Sequence, residues 1–119
     1  MLRKSSNSVK VCCPEIDRER LVSILKDRIR DLSEKIRIRI VILFGSYAAN
    51  RHTPASDIDL LIVVEEEDKD KAYREILRFL KISNLQLHLY TVREYEKMRE
   101  NRPLFIKEIE GKGIPILIR

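Results

Sequence analysis

Two short apolar runs lie close together in this chain: residues 36–44 (IRIRIVILF) and 58–64 (IDLLIVV), separated only by residues 45–57. Both are rich in β-branched side chains and too short for a buried helix, so both read as strands. The first alternates and then turns continuously apolar, the pattern of a strand that enters a sheet interior. Gly45 ends it, and residues 45–57 become a loop joining two core strands.

The flanking elements follow from periodicity. Leu21, Leu25, Ile29, Leu32 and Ile36 recur at helical spacing, which predicts an amphipathic helix over residues 15–35 with Pro14 ahead of its start. A short turn or helix is expected from Ser46 to Arg51. Beyond the acidic residues 65–68, Tyr73, Ile76, Leu77 and Leu80 predict a second helix whose apolar face packs on the sheet. Residues 85–90 (LQLHLY) alternate with period two, so Leu85, Leu87 and Leu89 face one side of a third strand and Gln86 and His88 the other. Thr91 with Glu94 three residues on forms a capping-box pattern and starts a helix at Val92. Residues 103–112 read as a last helix broken by Gly113, and residues 114–118 as a terminal strand or extended tail.

Composition sets the outer limits. The chain has 119 residues, of which 44% are hydrophobic and 36% charged, the balance of an ordinary globular protein. No apolar run is long enough to span a bilayer, and no signal peptide is evident at the N-terminus, so a cytoplasmic protein without a membrane role is expected. Cys12 and Cys13 are adjacent and have no zinc-spaced partners, which leaves reduced structural thiols. The net charge of +5 is N-terminal: residues 1–39 hold eleven Lys/Arg and six Asp/Glu, against thirteen of each over 40–119. Such a segment suits a solvated helix face, with nucleic acid or an acidic surface as the alternative contact.

The chemistry lies in GSYAANRHTPASDIDLLIV, residues 45–63. A Gly-Ser pair at a strand end exposes backbone N–H groups, and if a helix opens there its dipole adds positive potential for phosphate. Gly45 permits close approach of phosphate, and the Ser46 hydroxyl adds a donor. Asp57 and Asp59 are two apart at a strand start, so both carboxylates project to one face and can share divalent cations. Oxygen ligands of this kind suit Mg²⁺ held jointly with substrate phosphates. Arg51 can meet a phosphate bidentately, while Tyr47 reads as packing.

This order of strand, Gly-Ser, loop, Ser-Asp-x-Asp-Leu and strand resembles the signature of the DNA polymerase β-like nucleotidyltransferases. Within them the chain looks most like the stand-alone minimal nucleotidyltransferases, many of which are antitoxins paired with HEPN-domain toxins. VILFGSYAANRHTPASDIDLLIV carries the core pattern, and LQLHLYTVREYEKM is similar to the later strand-and-helix unit. The resemblance implies an α/β (α+β) fold, a mixed sheet with helices packed on one side. It makes residues 1–119 one nucleotidyltransferase domain: a basic segment and helix over 1–35, core strands and site over 36–90, and C-terminal helices and tail over 91–119. It also implies a triphosphate gripped by Gly45 and Ser46, ATP as substrate, and catalytic Mg²⁺ (or Mn²⁺) on Asp57 and Asp59.

Two positions depart from the family pattern. Asn50 stands where glycine is common, and Asn is the side chain that best tolerates left-handed backbone. Active members add a third carboxylate from the later strand, where this chain has Gln86. An amide can ligate a metal through its carbonyl oxygen but cannot accept a proton at neutral pH. His88, on the same strand face, could serve in its place, as could Glu94 or a partner's side chain. The resemblance therefore implies transfer of AMP from ATP to a hydroxyl of a HEPN-type partner protein. The alternative is a weak or inactive nucleotide-binding antitoxin that acts by binding its partner. Transfer to RNA is the weakest reading, because a chain this short has no separate RNA-binding domain.

Overall fold

The computed structural model describes residues 17–51, 53, 56–65 and 68–119. The elements are α1 (Arg18–Leu32), β1 (Ile38–Phe44), β2 (Ile58–Val64), α2 (Lys69–Leu80), β3 (Leu85–Thr91), α3 (Val92–Asn101), α4 (Pro103–Lys112) and β4 (Ile114–Ile118). The expectations for Pro14, for Cys12 and Cys13, and for the first part of the basic segment lie outside the described residues.

The four strands form one mixed sheet in the order β3-β2-β1-β4. β1 is central and antiparallel to both β2 and β4, while β2 and β3 run parallel. A parallel pair needs a crossover, and α2 supplies it. Residues 114–118 are a true strand, paired with β1 from Ile40↔Ile118 to Leu43↔Ile114.

Side-chain alternation divides the sheet into two faces, and both are covered. On one, Leu43, Leu60, Ile62 and Val64 pack with Leu21, Leu25, Ile29 and Leu32 of α1 and with Ala72, Ile76 and Leu80 of α2. On the other, Ile42, Leu61 and Val63 pack with Tyr95 of α3 and Ile106 and Ile109 of α4. The expectation of helices on one side is thereby corrected, although the α/β mixed-sheet class holds. The physical reason was present in β2: its run IDLLIVV is apolar at neighbouring positions, and a strand apolar on both faces requires cover on both.

α2 carries a second correction. Its buried face is Ala72, Ile76 and Leu80, while Tyr73 and Leu77 are 40% and 37% exposed. The small Ala72 lets the helix lie close to the sheet, so the inward stripe is one position back from the one its larger side chains suggest. α3 begins as expected: Thr91 Oγ1 accepts from the Glu94 N–H at 3.1 Å, and the Glu94 carboxylate accepts from the Thr91 N–H at 3.0 Å. Each bond satisfies a donor that the first helical turn would otherwise leave open.

Candidate nucleotide and metal site

The site lies where β1 ends and β2 and β3 begin, on the sheet face covered by α3 and α4. Pairing brings Phe44 opposite Asp59 and Asp59 opposite Gln86, with His88 beside Leu61. Because paired residues share a face, Phe44, Asp59, Gln86 and His88 all project to the same side, while Ile58 turns into the opposite core. The expected alternation of β3 therefore holds. Asp57 is exposed one residue ahead of β2.

Gly45 is the junction between the loop and the carboxylates. Its φ is +82°, in the region that favours glycine, and a Cβ built on it would overlap Asp59 Oδ2 and stand 3.1 Å from Cγ. The Asp59 carboxylate thus lies directly against the loop backbone. A side chain at position 45 would have to displace either the loop or the aspartate.

Residues 45–50 are a sequence of turns and not a helix. Ala49 N–H donates to Gly45 C=O at 3.0 Å, Asn50 N–H to Tyr47 C=O at 3.1 Å, and Arg51 N–H to Ser46 C=O at 2.8 Å. The helix-dipole part of the expectation falls away with the helix. What remains is a tight loop whose backbone, the Ser46 hydroxyl and the Arg51 guanidinium can face an anion. Asn50 holds φ +59°, so the left-handed conformation expected of it is observed. Tyr47 and Ala48 anchor the loop in the interior, and Arg18 of α1 donates to the Ala48 carbonyl at 3.0 Å. Burial pushes the Tyr47 phenol pKa up, in keeping with a packing role.

The loop forms one wall of a cleft of about 520 Å³, lined by Phe44, Gly45, Ser46 and Arg51 and, across from them, by Phe105, Glu108 and Lys112 of α4. A volume of that order suits a small-molecule ligand. Sequence reasoning missed the α4 wall, because Lys112 in a last helical turn reads as an ordinary complement to the helix dipole. Its Nζ lies 3.6 Å from Glu108 Oε1.

The third-position candidates separate. Gln86 is exposed and paired with Asp59. The His88 ring packs against Phe44 with centroids 5.0 Å apart, and Nε2 lies 3.5 Å from Asp59 Oδ1. Glu94 lies away from the aspartates. Thr91, whose cap it completes, pairs with Val64, five residues along β2 from Asp59 and about 16 Å away at strand rise. Its carboxylate is engaged there by the Thr91 N–H and by Lys69 at 3.0 Å.

The donor set fits a magnesium-type ion. Asp59 offers a carboxylate against the Gly45 loop, and Asp57, exposed one residue ahead of β2, offers another. Among the described residues no three His, Cys, Asp or Glu side chains gather to hold a metal by themselves. An ion there would draw part of its coordination from a ligand's phosphates, the usual arrangement for Mg²⁺.

Comparison with known proteins identifies the family. A family model described as a nucleotidyltransferase domain matches residues 22–116. Two relatives from Methanocaldococcus jannaschii carry the name of candidate protein adenylyltransferases. One is 30% identical over 99 residues, covering 81% of this chain and 98% of that protein. The other is 36% identical over 66 residues, covering 56% of this chain and 58% of that protein, so the match spans little more than half of that relative. Among solved structures, a candidate nucleotidyltransferase from Sulfolobus solfataricus superposes with a TM-score of 0.57 at 16% identity, covering 91% of this chain and 88% of that one. A toxin-antitoxin crystallised with AMP-PNP superposes with a TM-score of 0.51 at 15% identity, covering 79% and 73%. At those identities the likeness is one of fold.

Proposed function

The chain belongs to the nucleotidyltransferase domain family, and from that premise we propose that it binds metal-bound ATP and transfers AMP to a hydroxyl of a partner protein. The observation that carries this reading is the contact between Gly45 and Asp59, which puts a phosphate-accepting loop and a metal-binding carboxylate against each other. Backbone N–H groups of the loop and the Ser46 hydroxyl hold the triphosphate, and Arg51 adds positive charge from the loop's far end. Asp57 and Asp59 hold Mg²⁺ or Mn²⁺, which supplies charge neutralisation at the reacting phosphate.

Transfer joins the acceptor oxygen to the α-phosphorus and breaks the bond to the β-phosphate, releasing pyrophosphate. Such chemistry depends on positioning and electrostatics more than on covalent participation by the protein. The acceptor's proton has no carboxylate to receive it at Gln86, so it leaves to solvent or to a group on the partner. Loss of a general base lowers rates by about 10² to 10⁴. This position favours a second reading, a nucleotide-binding antitoxin or regulatory module that acts chiefly by binding its partner.

The resemblance to minimal nucleotidyltransferases points to a HEPN-domain protein as that partner, and the likeness to a toxin-antitoxin fold is in keeping with it. ATP supply places the work in the cytoplasm. Among the described residues no helix is long and apolar enough to cross a membrane.

The test is transfer of label from α-³²P-ATP, with Mg²⁺ or Mn²⁺, to a HEPN-type partner protein. Wild type labels its partner and Asp59→Asn does not. Gln86→Asp, which restores a carboxylate opposite Asp59, raises labelling by up to about 10². Labelling by Gln86→Asp alone would establish the binding-module reading, and labelling that survives in Asp59→Asn would sink the transferase.

A further inference from the structure

His88 stands out within the site. Its Nε2 is sealed from solvent and has no hydrogen-bond partner among the described residues. A buried ring nitrogen without a partner costs free energy and calls for an explanation. Asp59 Oδ1 lies 3.5 Å away, a separation too long for a good hydrogen bond. That separation has another physical meaning. Two donors bound about 2.1 Å from one ion, at octahedral to tetrahedral angles, stand roughly 3.0 to 3.4 Å from each other.

The surroundings fix this arrangement. Phe44 packs against the imidazole with its ring tilted at 58°, limiting the positions the His88 ring can take. Asp59 is constrained from the other side, its Oδ2 lying against Gly45 and its Oδ1 turned towards His88. Gln86, the residue opposite Asp59, is exposed and carries no charge.

We propose that His88 Nε2 is a metal ligand alongside Asp59, taking over from the side chain at Gln86, and that the site therefore prefers a first-row transition ion, Co²⁺ or Zn²⁺ most strongly and Mn²⁺ more weakly, to Mg²⁺. The proposal rests on the metal-nucleotide reading above and deepens it. Imidazole nitrogen suits first-row transition ions, whereas Mg²⁺ favours an all-oxygen shell. One nitrogen in place of a carboxylate oxygen shifts selectivity without changing the overall arrangement. The phosphates of the nucleotide and water complete the coordination.

The test uses Mn²⁺ as the probe, with the full chain and ATP, and reads the metal directly by pulsed electron paramagnetic resonance. Wild type shows nitrogen coupling that changes on isotopic labelling of histidine, and Mn²⁺ binds at least about tenfold more tightly than Mg²⁺. His88→Gln and His88→Phe lose the coupling and bind Mn²⁺ at least about tenfold more weakly while retaining their thermal unfolding midpoint. His88→Asp keeps binding but shifts preference towards Mg²⁺.

Mn²⁺ that is lost in Asp59→Asn yet shows no histidine coupling in wild type would overturn the role of His88 and leave the site reading standing. Wild-type affinity in both His88→Gln and His88→Phe would do the same. Absence of any Mn²⁺ binding by wild type, with or without ATP, would overturn the site reading and the ligand role together.

Discussion

Replacing Gly45 with alanine perturbs the loop and the carboxylate at one point. The backbone at position 45 holds φ +82°, which costs an alanine roughly 1–2 kcal/mol. The new Cβ would also overlap Asp59 Oδ2, and turning that side chain out of its rotamer costs about 0.5–1.5 kcal/mol more. The combined loss of about 2–3 kcal/mol lowers the unfolding midpoint by on the order of 10 °C, measured by scanning calorimetry. Because the overlap falls on the proposed metal ligand, metal-dependent ATP binding weakens at least about tenfold, which corresponds to about 1.4 kcal/mol. Gly111→Ala is the control. It lies on α4 with nothing within 4 Å of the added Cβ, so it stabilises by roughly 0.5–1 kcal/mol and leaves ATP binding unchanged. Wild-type ATP affinity in a folded Gly45→Ala protein would refute the claim that phosphate and metal meet at this glycine.

Other consequences follow from the packing. Thr91→Ala removes the cap of α3 and costs about 1 kcal/mol in chemical denaturation. The Thr91 N–H, helped by Lys69 and opposed by burial, holds the Glu94 carboxyl pKa below its ordinary value of 4.5. Because the folded value is depressed, the stability this gives is present above pH 4.5 and lost as pH falls through the lower folded value, a decline that Glu94→Gln abolishes in acid titration. Burial, reinforced by the hydrogen bond to Glu110 at 2.7 Å, pushes the Tyr95 phenol pKa well above 10. Its contribution is therefore full below pH 10 and declines as pH rises further; difference spectroscopy finds Tyr95 protonated through pH 10, and Tyr95→Phe costs about 1 kcal/mol.

Much of the fold was legible because it depends on patterns that short segments carry by themselves. The β2 run, the Pro103–Lys112 helix, the Thr91–Glu94 capping box and the alternation of Gln86 and His88 against Leu85, Leu87 and Leu89 are all local. What was misread depended on tertiary packing. Which stripe of α2 turns inward was decided by the small Ala72, which periodicity weighs less than Tyr73 or Leu77. Cover on both faces of the sheet was signalled by the unbroken apolar run of β2, a signal the expected one-sided architecture overrode.

The site divides in the same way. Gly45, Ser46, Asp57 and Asp59 are close in sequence and could be read together. Gln86 and His88 could be assigned a strand face, but that His88, whose own partner is Leu61, comes within 3.5 Å of Asp59 depends on side-chain reach across the β2–β3 pair. Lys112 and Phe105 reach the loop only because α4 packs over Ile42 and Phe44, and no spacing rule connects those segments. The distance of Glu94 from Asp59 was likewise invisible until β3 had a direction and a register.

The most direct test of the central claim is titration calorimetry of ATP into the full chain, with Mn²⁺ or Mg²⁺ and with chelator, for wild type and Asp59→Asn. Saturable binding by wild type that requires the metal and is lost in Asp59→Asn, with the unfolding transition intact, is the predicted result. Equal affinity in chelator, or in Asp59→Asn, would mean that the Asp59 carboxylate does not hold a metal-bound nucleotide and would contradict the account.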